Sequence, residues 1–346
     1  MTKSTKAYGV LAAVFLLVAF PTSGKTSEAV SFKSGAILNE TPQGTDVRGV
    51  YFVPEGSGPF AAVILLPHCG GYTSSNVRQG WPDYLTKLGY AVLTVDTFGP
   101  QGRSTCVGLD KGKSRPEQAR YAYGALDYLA ARPDVDGKRI AVMGFSEGAF
   151  AINKVIVPSR SRKQGGINFK AAVSLYGGCW GLAQYSKKDI PLMLIVPEHD
   201  DKLAPNCISI GDRDPYIEMH VLKGAYHGFD GPELRKMKYD DAGNRMFYSR
   251  SATVKAHKLA KAFFDIHIGS LAGTGVKRDV AMGTDEARIA LEDWLASNKQ
   301  LCSKDEDYFT NSVKDHIGKL ISDKKIIKSF MVSSFYLRRL YKKNCS

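Results

Sequence analysis

The segment Arg139-Ile-Ala-Val-Met-Gly144-Phe-Ser146-Glu-Gly148-Ala149 narrows the choice of fold more than any other part of the chain. An apolar, β-branched run leads into Gly-x-Ser-x-Gly, and a small-residue helix start follows. A chain that turns from strand to helix this sharply leaves no room for side chains two residues either side of the corner. Gly144 and Gly148 meet that demand. Such a corner lifts the Ser146 hydroxyl clear of a sheet and turns the amide of Glu147, at the helix start, toward a developing negative charge. Ser146 is therefore the candidate nucleophile and Glu147 N–H a candidate oxyanion donor. The bland alternative is a tight turn with an idle serine.

The rest of the chain fits the frame that this corner needs. From about Val30, short apolar runs alternate with longer segments of helical period, the pattern of a mainly parallel sheet covered by helices. Strands are expected at 50–53, 61–66, 91–95, 140–143, 171–175, 192–196 and 217–222, and helices at 79–88, 116–131, 148–157 and 252–266. Ser114 is the expected N-cap of the helix at Pro116, which should stop before Pro133. No internal repeat is visible.

A serine hydroxyl is a weak nucleophile until a histidine takes its proton and an acid orients that histidine. On a strand-to-helix corner the chain order is serine, acid, histidine. His68 precedes Ser146, His199 and His220 sit in or beside strands, and His257, His267 and His316 fall in the helical C-terminal part. His227, in Gly224-Ala-Tyr-His227-Gly, lies in a Gly-flanked loop just after the last strand and is the expected base. The acid should close the preceding strand, where Pro191-Leu-Met-Leu-Ile-Val-Pro-Glu198-His-Asp200-Asp201 offers three carboxylates. Asp200, a short turn beyond the strand, is favoured; Asp201 is the alternative, and either could instead be a turn-forming Asp bonded to its own backbone. The loop Leu66-Pro-His68-Cys69-Gly70-Gly71, after an apolar strand, makes Cys69 N–H the candidate second oxyanion donor.

The two ends of the chain differ from its middle. Lys3 and Lys6 precede the apolar run Val10 to Phe20, which Pro21 breaks and the small residues Thr22, Ser23 and Gly24 follow. These are the parts of a signal peptide, expected at residues 1–24, and the run is short of the roughly 20 residues that span a bilayer. A buried first helix and an uncleaved anchor are the alternatives. Six cysteines, an even number without zinc-type spacing, fit export to an oxidising compartment, periplasmic or extracellular. Residues 25–269 form the expected main domain and 270–346 a helical, basic extension. Within it, 285–297 reads as one amphipathic helix, and from Lys324 onward there are cations but no acids. That tail could lie weakly on an anionic surface or be frayed and solvated. The net charge of +13 bears on steering and solubility rather than chemistry, and neither a nucleic acid partner nor a cofactor or metal is expected.

Leu66-Pro-His-Cys-Gly-Gly71, Gly89-Tyr-Ala-Val-Leu-Thr-Val-Asp96-Thr-Phe-Gly99-Pro100, Gly144-Phe-Ser146-Glu-Gly148, Asp200-Asp201 and Tyr226-His227-Gly-Phe229 together resemble the dienelactone hydrolase family. The similarity runs from about residue 30 to 268. It implies an α/β-hydrolase fold with a mainly parallel eight-stranded sheet, helices on both faces and no lid. It also implies a triad of Ser146, Asp200 and His227 that attacks ester or lactone carbonyls without a cofactor. In the implied fold the strands ending near Cys69 and Cys106 are neighbours, as are those near Cys179 and Cys207. The disulfides Cys69–Cys106 and Cys179–Cys207 are therefore expected, with Cys302 and Cys345 unassigned.

Two departures from the family bear on substrate. The founding members resemble this pattern but use a cysteine nucleophile, and many relatives carry an arginine after Phe-Gly-Pro, where this chain has Gln101, with Arg103 two residues on. Ser146 in place of that cysteine points toward ordinary esters. Only about fifteen residues separate the strands near 171 and 192, too few for a lid by ordinary loop lengths, and the open pocket that follows suits small or polymer-borne esters alike. The alternatives are a peptidase or amidase on the same triad, since fold does not fix the scissile bond, and a non-catalytic envelope-binding protein.

Overall fold

The computed structural model describes residues 26–36, 44–156, 167–180, 182, 190–211, 217–240 and 243–269, and beyond these 291, 294, 295, 297–303, 305–322, 341 and 345. The expected signal peptide, the segment 270–282 and almost all of the basic tail lie outside the described residues.

Eight strands form one sheet: β1 (Thr26–Lys33), β2 (Asp46–Val53), β3 (Phe60–Leu66), β4 (Ala91–Val95), β5 (Val135–Phe145), β6 (Ala172–Leu175), β7 (Leu192–Pro197) and β8 (Ile217–Leu222). Their order is β1-β2-β4-β3-β5-β6-β7-β8. Pairs β1/β2 and β2/β4 are antiparallel and the rest parallel. The uninterrupted apolar strands follow from burial on both faces. Along β3, Ala62, Ile64 and Leu66 join one core, while Ala61, Val63 and Leu65 join the other. The first core packs under α2 (Lys111–Ala130), α3 (Glu147–Val155) and α4 (Ala204–Gly211); the second packs under α1 (Trp81–Lys87) and α5 (Arg250–His267). In α5 the buried residues Ala252, Ala256, Ala260, Phe263 and Phe264 trace one helical stripe.

Register brings the carboxyl ends of the central strands to one edge. Leu66 pairs with Gly144, Gly144 with Ser174, Leu175 with Ile195, and Pro197 with Leu222. The loops that follow β3, β5, β6, β7 and β8 therefore meet there, the edge at which open parallel sheets bind ligands. Two disulfides tie that edge: Cys69–Cys106 joins the loops after β3 and β4, and Cys179–Cys207 joins the loop after β6 to α4.

Several boundaries differ from the sequence expectation. Helix α2 begins at Lys111 because Asp110 is its N-cap, accepting from Gly112 N at 2.9 Å; Ser114 is buried inside the helix, and Pro116 is tolerated near its start. The helix still ends before Pro133. An N-terminal stretch, Asn76–Gly80, winds as a π-turn ahead of α1. Strand β1 is an exposed edge whose first residues show little apolar alternation, and α4 is a short helix after the acid loop; neither was legible from periodicity. The helix expected at 148–157 is described as Glu147–Val155, and Val157 lies outside the described residues.

Beyond Gly269, Leu291, Leu295, Leu301, Phe309, Val313 and Ile317 form a small cluster around α6 (Glu306–Ser322). Leu291, Trp294, Leu295 and Ser297 are helical, in line with the expected 285–297 helix. Cys302 pairs with Cys345, and Tyr341 packs edge-on to Phe309 with centroids 5.3 Å apart. Of the basic tail only Tyr341 and Cys345 are described, and both are tied to this cluster, so the two unassigned cysteines have each other.

His257 of α5 lies where α5 meets α1, stacked on Tyr84 with centroids 4.0 Å apart and edge-on to Trp81. Burial pushes its pKa down from 6.5 to about 4, against a weaker pull from Asp230. The unfolded chain then binds a proton that the folded chain refuses. Stability conferred here is present above pH 6.5 and lost as pH falls toward 4, by at most about 3 kcal/mol. Thermal unfolding measured from pH 7 to 4 should show a declining midpoint, and His257→Phe should flatten that decline. Parallel profiles for the two proteins would contradict the assignment.

Candidate active site

The Ser146 backbone has φ 48° and ψ −107°, a conformation that non-glycine residues rarely hold and that costs on the order of 1–3 kcal/mol. Neighbouring contacts enforce it. Ser146 N donates to Leu175 O at 3.0 Å on one side, and Gly148 N donates to Pro67 O at 3.1 Å on the other. A Cβ on Gly144 would stand 2.4 Å from Gly148 O, and one on Gly148 would stand 2.2 Å from Leu66 O. Both glycines of Gly-x-Ser-x-Gly are thus required by backbone packed on backbone, and the second contact presses the start of α3 against the loop after β3.

From that corner Ser146 Oγ lies 2.8 Å from His227 Nε2, and His227 Nδ1 lies 2.7 Å from Asp200 Oδ2. With the carboxylate accepting from Nδ1–H, Nε2 is left to accept from the Ser146 hydroxyl. Asp200 is fully buried and His227 nearly so. Asp200 is fixed from its own backbone: its N–H donates to Pro197 O, and Leu203 and Ala204 N–H donate to its carbonyl as α4 begins. The His227 loop is tied in turn, with His227 N donating to Arg245 O and His199 N donating to Ala225 O.

The other two acidic candidates are occupied elsewhere. Asp201 faces solvent and makes a bidentate pair with Arg245, at 2.9 and 3.0 Å. Glu198 accepts from Gly224 N at 2.8 Å and so closes the turn after β8. Of the three carboxylates, only Asp200 reaches the histidine.

Glu147 and Cys69 also come to this edge. Neither amide donates to a protein acceptor among the described residues, whereas the Gly70 amide is taken by His68 Nδ1 at 3.0 Å and that of Gly71 by His68 O. The Cys69 loop is held further by its disulfide and by Cys106 N donating to Cys69 O at 3.0 Å. The Glu147 side chain, absent from the sequence argument, is buried and clamped bidentately by Arg115 of α2, both bonds 2.8 Å. Gln101 turns back to Thr97 O, and Arg103 toward Val107 O at 3.4 Å, so both serve their own loop.

A buried carboxylate beneath the site was also missed. Asp230, three residues after His227, accepts from Tyr176 Oη and Trp81 Nε1, both at 2.7 Å, and from Asn76 Nδ2 at 3.2 Å. Asn76 Oδ1 in turn meets His68 Nε2 at 3.2 Å. Because His68 Nδ1 accepts from Gly70 N–H, the ring is neutral with its proton on Nε2, and burial lowers its pKa in agreement. Burial first, then Asp230, holds the Tyr176 hydroxyl well above its ordinary pKa, so it remains a donor. Tyr176, at φ 39°, sets its ring edge-on to the His227 imidazole with centroids 5.0 Å apart. One carboxylate therefore links the loops after β3, β6 and β8.

With this fold and geometry in place, a model of the dienelactone hydrolase family matches residues 47–267. The chain belongs to the dienelactone hydrolase family. Dienelactone hydrolase relatives of known structure share the fold. One is a dienelactone hydrolase-like promiscuous phosphotriesterase from metagenomic libraries, 21% identical, covering 70% of this chain and 99% of its own, with a TM-score of 0.50. Another is a candidate dienelactone hydrolase of Klebsiella pneumoniae, 16% identical, covering 69% and 98%, also with a TM-score of 0.50. The esterase FrsA of Klebsiella pneumoniae strain 342 is 34% identical over 110 residues, which span 31% of this chain and 24% of that protein.

Asp230→Ala would leave the Tyr176 hydroxyl, the Trp81 indole N–H and the Asn76 amide buried with a missing acceptor. A loss of about 2–4 kcal/mol is expected in urea unfolding. A loss below about 0.5 kcal/mol, the range of ordinary surface substitutions, would show that the carboxylate does not hold these loops.

Proposed function

We propose that this chain is an exported serine hydrolase that cleaves carboxylic ester or lactone bonds through Ser146, His227 and Asp200 and an acyl-enzyme intermediate. The observation that carries the reading is the unbroken run of hydrogen bonds from the buried Asp200 carboxylate through His227 to Ser146 Oγ, 2.7 and 2.8 Å long. Family membership supports hydrolytic chemistry, and the esterase name of the partial relative favours esters over amides.

In the proposed cycle Ser146 Oγ attacks the carbonyl carbon while His227 Nε2 takes its proton. The tetrahedral oxyanion forms against the Cys69 and Glu147 amides, the donors left without a protein acceptor. His227 then gives the proton to the departing alcohol oxygen. Water, deprotonated by the same nitrogen, attacks the acyl carbon, and collapse of the second tetrahedral intermediate returns the proton to Ser146 and releases the acid. Buried Asp200 keeps His227 in the required tautomer throughout.

Export rests on the three disulfides, which persist in oxidising compartments, together with the basic and apolar order of residues 1–24. The substrate is a small or polymer-borne ester. The division into a hydrolase domain at 25–269 and an extension at 270–346 is supported by the separate core around α6.

Ser146→Ala should abolish both ester turnover and labelling by a fluorophosphonate. Asp200→Asn, which imposes the wrong histidine tautomer, should lower kcat by about 10⁴-fold, whereas Asp201→Asn should stay within a few-fold of the parent. Equal losses for the two aspartates, or labelling that persists without Ser146, would overturn the assignment. Faster turnover of aminoacyl amides than of matched esters would move the activity to amides.

A further inference from the structure

Trp180 departs from the rule that large aromatic rings are covered: 54% of it is exposed, yet it is tightly fixed. It stacks on Phe150 with planes 8° apart and centroids separated by 5.9 Å. Gly178 allows this closeness, since a Cβ there would stand 2.2 Å from the Trp180 ring and 2.3 Å from the Phe150 ring. The loop that carries the indole is anchored three times. Cys179 is disulfide-bonded to Cys207, Cys179 N donates to Asn206 Oδ1 at 3.1 Å, and Asn153 Nδ2 donates to Gly178 O at 2.6 Å. An exposed indole held this firmly has already lost the freedom that ligand binding would otherwise have to remove.

The position is as informative as the rigidity. Phe150 N donates to Ser146 O at 3.1 Å, so the backbone of Phe150 stands one helical turn past the nucleophile corner. The loop bearing Trp180 leaves β6, the strand paired beside the nucleophile strand. Phe150 is also backed by the Arg115 guanidinium, 3.8 Å from its ring centroid, and that cation is neutralised by Glu147. The patch one turn past Ser146 is thus planar and apolar, and the Arg115 cation that backs it is already paired.

We propose that Trp180, stacked on Phe150 one helical turn from Ser146, forms a subsite for the planar aromatic group of an ester substrate. The subsite rests on the proposed ester hydrolase reading and narrows its substrate class to esters with an aryl group a few bonds from the scissile carbonyl. The exposed indole face supplies offset stacking, which an aliphatic group of equal bulk cannot match.

Binding to the full chain carrying Ser146→Ala separates recognition from turnover. Two ligand pairs, titrated by ligand-observed NMR, place the ring on either side of the ester: methyl cinnamate against methyl 3-cyclohexylpropanoate, and phenethyl acetate against cyclohexylethyl acetate. For at least one pair the aromatic member should bind about threefold to tenfold tighter. That ratio should fall toward one when Trp180→Ala is added and be retained with Trp180→Phe. The ratio is internally referenced, because a misfolded variant loses both ligands alike. Absence of an aromatic preference in both pairs, or a preference that survives Trp180→Ala, overturns the subsite. Failure of the parent chain to hydrolyse any of the four esters counts against the hydrolase reading instead, and the binding ratio still decides the subsite.

Discussion

The backbone contact between Gly148 and Leu66–Pro67 is the constraint on which the rest of the edge depends. It holds Ser146 in a conformation that the residue would not adopt alone and, by the same bond, sets the loop after β3 against the start of α3. The strain is maintained because both strands beneath it are buried on two faces and cannot slip without exposing apolar residues. The geometry of the candidate nucleophile and that of the proposed oxyanion donors are therefore one packing problem. The two disulfides at this edge act on the loops that the sheet itself does not fix.

Polar groups around that contact divide into two systems. Above it, Asp200 and His227 orient toward Ser146, with Asp201 and Glu198 drawn off to Arg245 and Gly224. Below it, Asp230 gathers Tyr176, Trp81 and Asn76, and Asn76 passes the order on to His68 and the Gly70 amide. A buried carboxylate with three donors is well satisfied, so it can be retained in a core without a cation. The lower system sets how the His227 loop and the Cys69 loop face each other.

Much of this was legible in the sequence because local rules and chain order were enough. Apolar runs gave seven of the eight sheet strands, and Gly-x-Ser-x-Gly with the order serine, acid, histidine pointed to Ser146, Asp200 and His227. Asp200 was favoured over Asp201 by its place a short turn beyond the strand, whereas the partner that occupies Asp201, Arg245, lies 44 residues away in sequence. The side chains of Asp230 and Glu147 carried no signal in the sequence because their partners, Tyr176, Trp81, Asn76 and Arg115, are distant in sequence. The Asp110 cap was missed because Pro116 is a stronger written signal than a carboxylate six residues earlier. The pairing of Cys302 with Cys345 had no strand neighbours to suggest it.

Peptide mapping by mass spectrometry after rapid acid quench of an ester reaction looks for the one bond that the geometry is built to form. A transient acyl group is expected on the peptide containing Ser146, accumulating before steady state and longer-lived when His227 is replaced. Product formation with no acyl group on that peptide, or acylation at another residue, would contradict it.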